Sequence, residues 1–117
     1  MTENDVKNQV VEYLRMTGWL VLRINSGAVV GQDQNKRRFF WFAKWFTLGK
    51  EPQTAGIADI LAFKDGRALA IETKRPGSEN RITEAQREFL ATWADHGGQW
   101  CVVSRLDDLL LALSEAI

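Results

Sequence analysis

The stretch GIADILAFKDGRALAIETKR, residues 56–75, decides the fold. Asp65-Gly66 lies at its middle, a dipeptide that favours the two-residue type I′ hairpin turn. With those residues as the loop, the register follows: Lys64 faces Arg67, Phe63 faces Ala68, Leu61 faces Ala70 and Asp59 faces Glu72. Opposed side chains of a hairpin share a face, as do residues two apart on a strand. Asp59, Glu72 and Lys74 are thereby predicted to converge. Two opposed carboxylates repel, so the pair has no structural benefit by itself. A divalent cation would remove the penalty, and carboxylate oxygens suit Mg²⁺ or Mn²⁺. The bland alternative is a surface hairpin with a cross-strand ion pair. Aliphatic residues on both faces (Ile57, Leu61 and Phe63 against Ile60, Leu69 and Ile71) argue instead for a buried hairpin, where charged groups are usually functional.

Working outward, residues 4–17 read as an amphipathic helix with Val6, Val10, Tyr13 and Leu14 at helical spacing, Thr2 as N-cap and Gly18 as the stop. Residues 19–25 (WLVLRIN) read as a strand, 26–36 as a loop, and the aromatic run RFFWFAKWF at 38–46 as another strand. A second loop, 47–56, leads into the hairpin at about 57–64 and 67–74. Pro76-Gly77 ends it. Thr83 with Gln86 forms a capping box for a helix reaching about Asp95, with Phe89, Leu90 and Trp93 on its apolar side. Gly97-Gly98 stops that helix, residues 99–104 form a buried strand, and a last helix runs from about Leu106 to Ala116. The expected order is α-β-β-β-β-α-β-α, an α/β domain with a central mixed sheet flanked by helices.

A length of 117 residues suits a single domain, 1–117, and the hydrophobic fraction of 45% that of a soluble globular protein. No apolar run is long enough for a membrane span, and no N-terminal segment reads as a signal peptide. Cys101 is the single cysteine. It fits a buried core position in a reducing, cytoplasmic setting. The formal net charge is zero, yet between Gln34 and Lys50 five basic residues (Lys36, Arg37, Arg38, Lys44, Lys50) stand with no acidic one. Such a local patch suits a phosphate backbone, and Lys36, Arg37, Arg38 and Lys44, with Arg75 and Arg81, are the expected DNA contacts. The aromatic run fits core and dimer surface better than a stacking platform for bases. His96, before Gly97 at a helix C-terminus, fits dipole complementarity better than metal binding.

Ala58-Asp59, a hairpin, and Glu72-Thr73-Lys74 resemble the signature of the PD-(D/E)XK nuclease superfamily, with Ala58 where the superfamily name has proline. The flanking motifs narrow this. Gly56-Ile57-Ala58-Asp59-Ile60, the Glu-Thr-Lys, Ile82-Thr83-Glu84-Ala85-Gln86, Phe89-Leu90, Gly97-Gly98 and Val102-Val103-Ser104-Arg105 together resemble a VRR-NUC domain, as do the first helix and Arg23-Ile24-Asn25-Ser26-Gly27. The resemblance covers essentially the whole chain and implies a stand-alone version of the kind typical of phages and prophages. The implied fold is restriction-endonuclease-like, similar to Holliday-junction resolvases.

The implied activity is metal-dependent hydrolysis of DNA phosphodiester bonds, on branched substrates such as Holliday junctions or flaps, by a homodimer. Asp59 and Glu72 would bind Mg²⁺ or Mn²⁺, joined by the backbone carbonyl of Thr73. Lys74 would act on the attacking water or the developing phosphoryl charge. Gln86 would lie near the site, a role compatible with its place in the capping box. A carboxylate from the first helix is assigned to Glu3, with Glu12 as rival. Glu3 also fits a plain helix-start carboxylate. The alternatives are a catalytically inactive DNA-binding or recruitment module of the same fold, and a sequence-specific restriction-like endonuclease.

Overall fold

A computed structural model describes residues 1–24, 29–32, 38–41 and 44–115, the two short middle stretches by their backbone alone. The decisive hairpin forms as its sequence dictates. Strand β4 (Ile60–Lys64) pairs antiparallel with β5 (Arg67–Thr73), with Lys64 opposite Arg67, Phe63 opposite Ala68 and Leu61 opposite Ala70. Asp65 and Gly66 both take positive φ, 51° and 80°, as a type I′ turn requires.

The remaining elements build outward from that pair. Helix α1 (Glu3–Met16) starts at a capping box in which Thr2 Oγ1 accepts from Asp5 N and Asp5 Oδ2 accepts from Thr2 N. Strand β1 (Leu20–Arg23) adds antiparallel to β4. Helix α2 (Glu84–Asp95) begins at Thr83 with Gln86 as its capping-box partner, and β6 (Gln99–Val103) lies parallel to β5. Helix α3 (Leu106–Glu115) closes the chain, the expected end at Ala116 lying outside the described residues. The sheet order is β1-β4-β5-β6, a four-stranded mixed sheet flanked by helices. Antiparallel β4–β5 and parallel β5–β6 put β5 at its centre, which is why Leu69 to Thr73 are all buried.

Two expectations for the middle of the chain need correction. The 26–36 loop contains a strand, β2 (Val29–Gln32), paired antiparallel with β3 (Arg38–Trp41) in a separate two-stranded sheet. The order is therefore α-β-β-β-β-β-α-β-α. Val29-Val30 is the β-branched signal for it, diluted by Gly31 and the polar residues that follow. The aromatic run is also not one strand to residue 46. β3 ends at Trp41, and Trp45 instead makes an isolated bridge to Gln53 while its indole N–H donates to Ala55 O at 2.9 Å. The side chains of Phe39 to Ala43, expected in core and dimer surface, lie outside what the structure describes.

Two apolar layers clamp the main sheet. On one face, Val6, Val10 and Leu14 of α1 and Leu109 of α3 pack on Ile60, Ala62, Leu69, Ile71 and Val103. On the other, Phe89 and Leu90 of α2 cover Ile57, Ala58 and Ala70. Trp45 meets Phe89 edge-on with centroids 5.5 Å apart. Each fully buried aliphatic chain contributes about 1.5–3 kcal/mol. This packing holds β4 and β5 rigid up to the polar end of the hairpin.

Packing dictates the glycine that leads into the hairpin. Gly56 has φ 87°, and a Cβ there would collide with the backbone carbonyl of Ala85 in the first turn of α2. That close approach seats Gly56 to Asp59 against the helix start carrying Gln86.

Candidate active site

At the open end of the hairpin the ladder stops one step short of Asp59. Its last pair is Ile60 with Ile71, and Asp59 lies in a bend. The Asp59 carbonyl still accepts from Ile24 N at 2.7 Å, but its side chain takes over the role of a strand partner. Asp59 Oδ2 accepts from Thr73 N at 2.9 Å and from Thr73 Oγ1 at 2.8 Å. Two hydrogen bonds fix this carboxylate, and the buried backbone donor of Thr73 is satisfied by the same atom.

Glu72 is the buried member. Its side chain is 1% exposed. Oε1 accepts from Gln86 Nε2 at 2.9 Å and lies 3.9 Å from Lys74 Nζ. Oε2 is buried and has no hydrogen-bond partner among the described residues. Burial, and after it the nearby charge and carboxyl of Asp59, push the Glu72 pKa up to about 9, against the opposing pull of Lys74. Without another cation Glu72 therefore holds a proton at neutral pH.

Lys74 leaves the sheet just after β5, its backbone N–H tied to Val103 O at 2.9 Å. Its Nζ reaches Gln86 Oε1 at 3.4 Å. Gln86 thus has two roles. Its Oε1 accepts from Thr83 N at 2.9 Å and completes the helix cap, while its Nε2 donates to Glu72. The cap locks the amide orientation that serves the carboxylate.

This constellation fits a divalent cation. A buried carboxylate oxygen without a partner, beside a second carboxylate, is stabilised by a positive ion in place of a proton. Among the described residues no group of three or more His, Cys, Asp or Glu side chains comes together. Asp59 and Glu72 would thus be the carboxylate ligands, with further oxygens from backbone, water or phosphate.

Glu3 and Glu12 separate clearly. Glu3 lines a cavity of about 480 Å³ with Lys74, Arg75, Ser78 and Arg81, and its charge contributes to raising the Glu72 pKa. Glu12 is exposed and 3.9 Å from Arg15 on the same helix. The structure thus places Glu3 beside the site and Glu12 away from it, without bringing Glu3 into a three-carboxylate cluster. Ser104 Oγ lies 2.7 Å from Glu79 Oε1 and 3.1 Å from Asp108 Oδ2, tying the Arg75–Arg81 loop to the start of α3. Arg75 and Arg81 line the same cavity as Lys74. Lys44 is exposed; Lys36 and Arg37, and the side chain of Arg38, lie outside what the structure describes.

Away from the site, His96 caps α2, its Nδ1 lying 2.7 Å from Thr92 O. Burial pushes the Cys101 thiol up to about 12, so it is inert at neutral pH.

One residue of the constellation was not singled out from sequence. Lys7 Nζ lies 3.7 Å from Asp59 Oδ1, with 18% of the Lys7 side chain exposed. Its signal was the four-residue spacing from Glu3, which puts both on one stripe of α1. Among the described residues no helix is long and apolar enough to cross a membrane. Neither a protein-family model nor a curated protein sequence matches this chain.

Proposed function

We propose that this protein is a metal-dependent DNA endonuclease of the VRR-NUC kind, with the restriction-endonuclease-like arrangement of the PD-(D/E)XK superfamily. The observation that carries the reading is the buried Glu72 carboxylate, held against Asp59 with one oxygen unpartnered among the described residues and Lys74 beside the other. A fold gains no stability from such a pair, whereas a phosphodiesterase needs it.

Asp59, Glu72 and the backbone carbonyl of Thr73 would hold Mg²⁺ or Mn²⁺. When bound, that ion polarises a phosphoryl oxygen and lowers the pKa of a water. The chain's own residues supply the rest. Thr73 orients Asp59 through its N–H and hydroxyl. Gln86 orients Glu72 and steadies the Lys74 ammonium. Lys74 positions the attacking water or stabilises charge on the phosphoryl group. Arg75 and Arg81 form a basic wall beside Lys74, where the flanking phosphates of the strand would lie. Lys36, Arg37, Arg38 and Lys44 would extend that contact.

The proposed substrate is branched DNA, a Holliday junction or flap, met in the cytoplasm. A four-way junction needs two symmetric cuts and each chain carries one site, so the working form would be a two-fold dimer. The exposed Leu20, Leu22, Phe46 and Leu48 offer apolar surface for it. The test incubates the purified chain with labelled junction, flap, single-stranded and linear duplex DNA in Mg²⁺, Mn²⁺ or EDTA at two salt concentrations. Metal-dependent scission with a preference for branched forms is expected. Binding without scission in any metal would favour a non-catalytic DNA-binding module. Preference for one short sequence in linear duplex would favour a restriction-like enzyme.

A further inference from the structure

Lys7 is a charged residue at the site to which the nuclease reading gives no task. It projects from α1 beside the core residue Val6 and reaches Asp59 Oδ1 at 3.7 Å. The other Asp59 oxygen is occupied by the two Thr73 donors. Oδ1 is therefore the Asp59 atom left for a cation, and an ammonium already stands there. Beside it, Glu72 Oε2 has no partner among the described residues. An ammonium 3.7 Å from Oδ1 and a divalent ion bound to that same oxygen repel each other across a space this sheltered, so each disfavours the other.

We propose that Lys7 is a tethered counter-ion that occupies the metal's place on Asp59 and must be displaced when a divalent cation binds. The proposal rests on the metal-site reading above. Lys7 then sets the affinity of the site: it steadies Asp59 in the metal-free protein and weakens metal binding by competition. It is a positioning residue acting through Asp59. Loss of its charge tightens the site, whereas loss of an ordinary structural residue would loosen it.

Calorimetric titration of Mn²⁺ into the full chain, without DNA, tests this on wild type, Lys7→Met, Lys7→Arg and Asp59→Asn. Methionine keeps much of the aliphatic stem and removes the charge. Lys7→Met should bind Mn²⁺ roughly tenfold tighter, equivalent to about 1.4 kcal/mol. Lys7→Arg should stay near wild type and Asp59→Asn should lose binding. Lys7→Gln is the second neutral variant, with the same expected direction, and circular dichroism checks the fold of each. Unchanged or weaker affinity in the folded neutral variants, with wild-type binding that depends on Asp59, overturns this proposal alone. No Mn²⁺ binding by wild type and neutral variants alike overturns the metal-site reading, and this proposal with it.

Discussion

Replacing Glu72 with glutamine should stabilise the metal-free protein, by an amount that grows with pH. In the fold the Glu72 carboxyl keeps its proton up to about pH 9, against an ordinary value of 4.5. The folded state therefore binds a proton that the unfolded chain releases above 4.5. Stability from this group is fully present below pH 4.5 and is lost progressively as pH rises to about 9. Each unit is worth about 1.36 kcal/mol, so the loss at pH 7 comes to ~3 kcal/mol. Glutamine keeps the shape and the Oε1 acceptor for Gln86, and it does not titrate. Glu72→Gln should match wild type near pH 4.5 and exceed it by ~3 kcal/mol at pH 7, roughly 10 °C in Tm for a domain of this size. Thermal unfolding of EDTA-treated protein at pH 5, 6, 7 and 8 reads this directly. Adding Mg²⁺ should raise wild type and leave Glu72→Gln nearly unmoved. A stability difference that is constant with pH, or a variant less stable than wild type at pH 7, would mean that Glu72 does not keep its proton in the fold.

Other substitutions probe the surroundings. Lys74→Met should cut DNA scission on the order of a hundredfold or more while leaving junction binding in Ca²⁺ nearly intact, as gel shift beside single-turnover cleavage would show. Gln86→Ala removes a capping-box partner and the donor to Glu72, so urea unfolding should report a loss of about 1–2 kcal/mol and cleavage should slow with it. Gly56→Ala drives a Cβ into the Ala85 carbonyl from a φ of 87°, and should lower stability by about 2 kcal/mol or more in the same assay. Arg75→Ala with Arg81→Ala should reduce the log–log salt slope of DNA binding by about 0.9 for each phosphate that is no longer neutralised.

The hairpin was legible because its signals are local. Asp65-Gly66 dictates the turn, and strict alternation carries the register to Ile60 and Ile71. Thr2, Thr83, Gln86 and Gly18 mark the helix ends through hydrogen bonds within a few residues, and these too could be read. The double duty of Gln86 was open to sequence reasoning because its cap position fixes where the amide points. The way Asp59 is held was less accessible. Extending the ladder puts it opposite Glu72, but the chain bends there and the carboxylate captures Thr73 instead, a tertiary event with no periodic signature. Lys7 was missed for a related reason: a lysine near the start of an amphipathic helix looks solvated until the carboxylate it meets just before β4 is known. Strand β2 was missed because Gly31 and its polar neighbours mask two valines.

Asp59 and Glu72 are proposed to hold a divalent ion needed for DNA scission. The most direct measurement is strand scission of a labelled four-way junction by wild type and Asp59→Asn, side by side in Mn²⁺ and in EDTA. Wild type should cleave in Mn²⁺ alone, and Asp59→Asn should be folded, bound to the junction and inert. Equal cleavage by both proteins, or cleavage that persists in EDTA, would contradict that role.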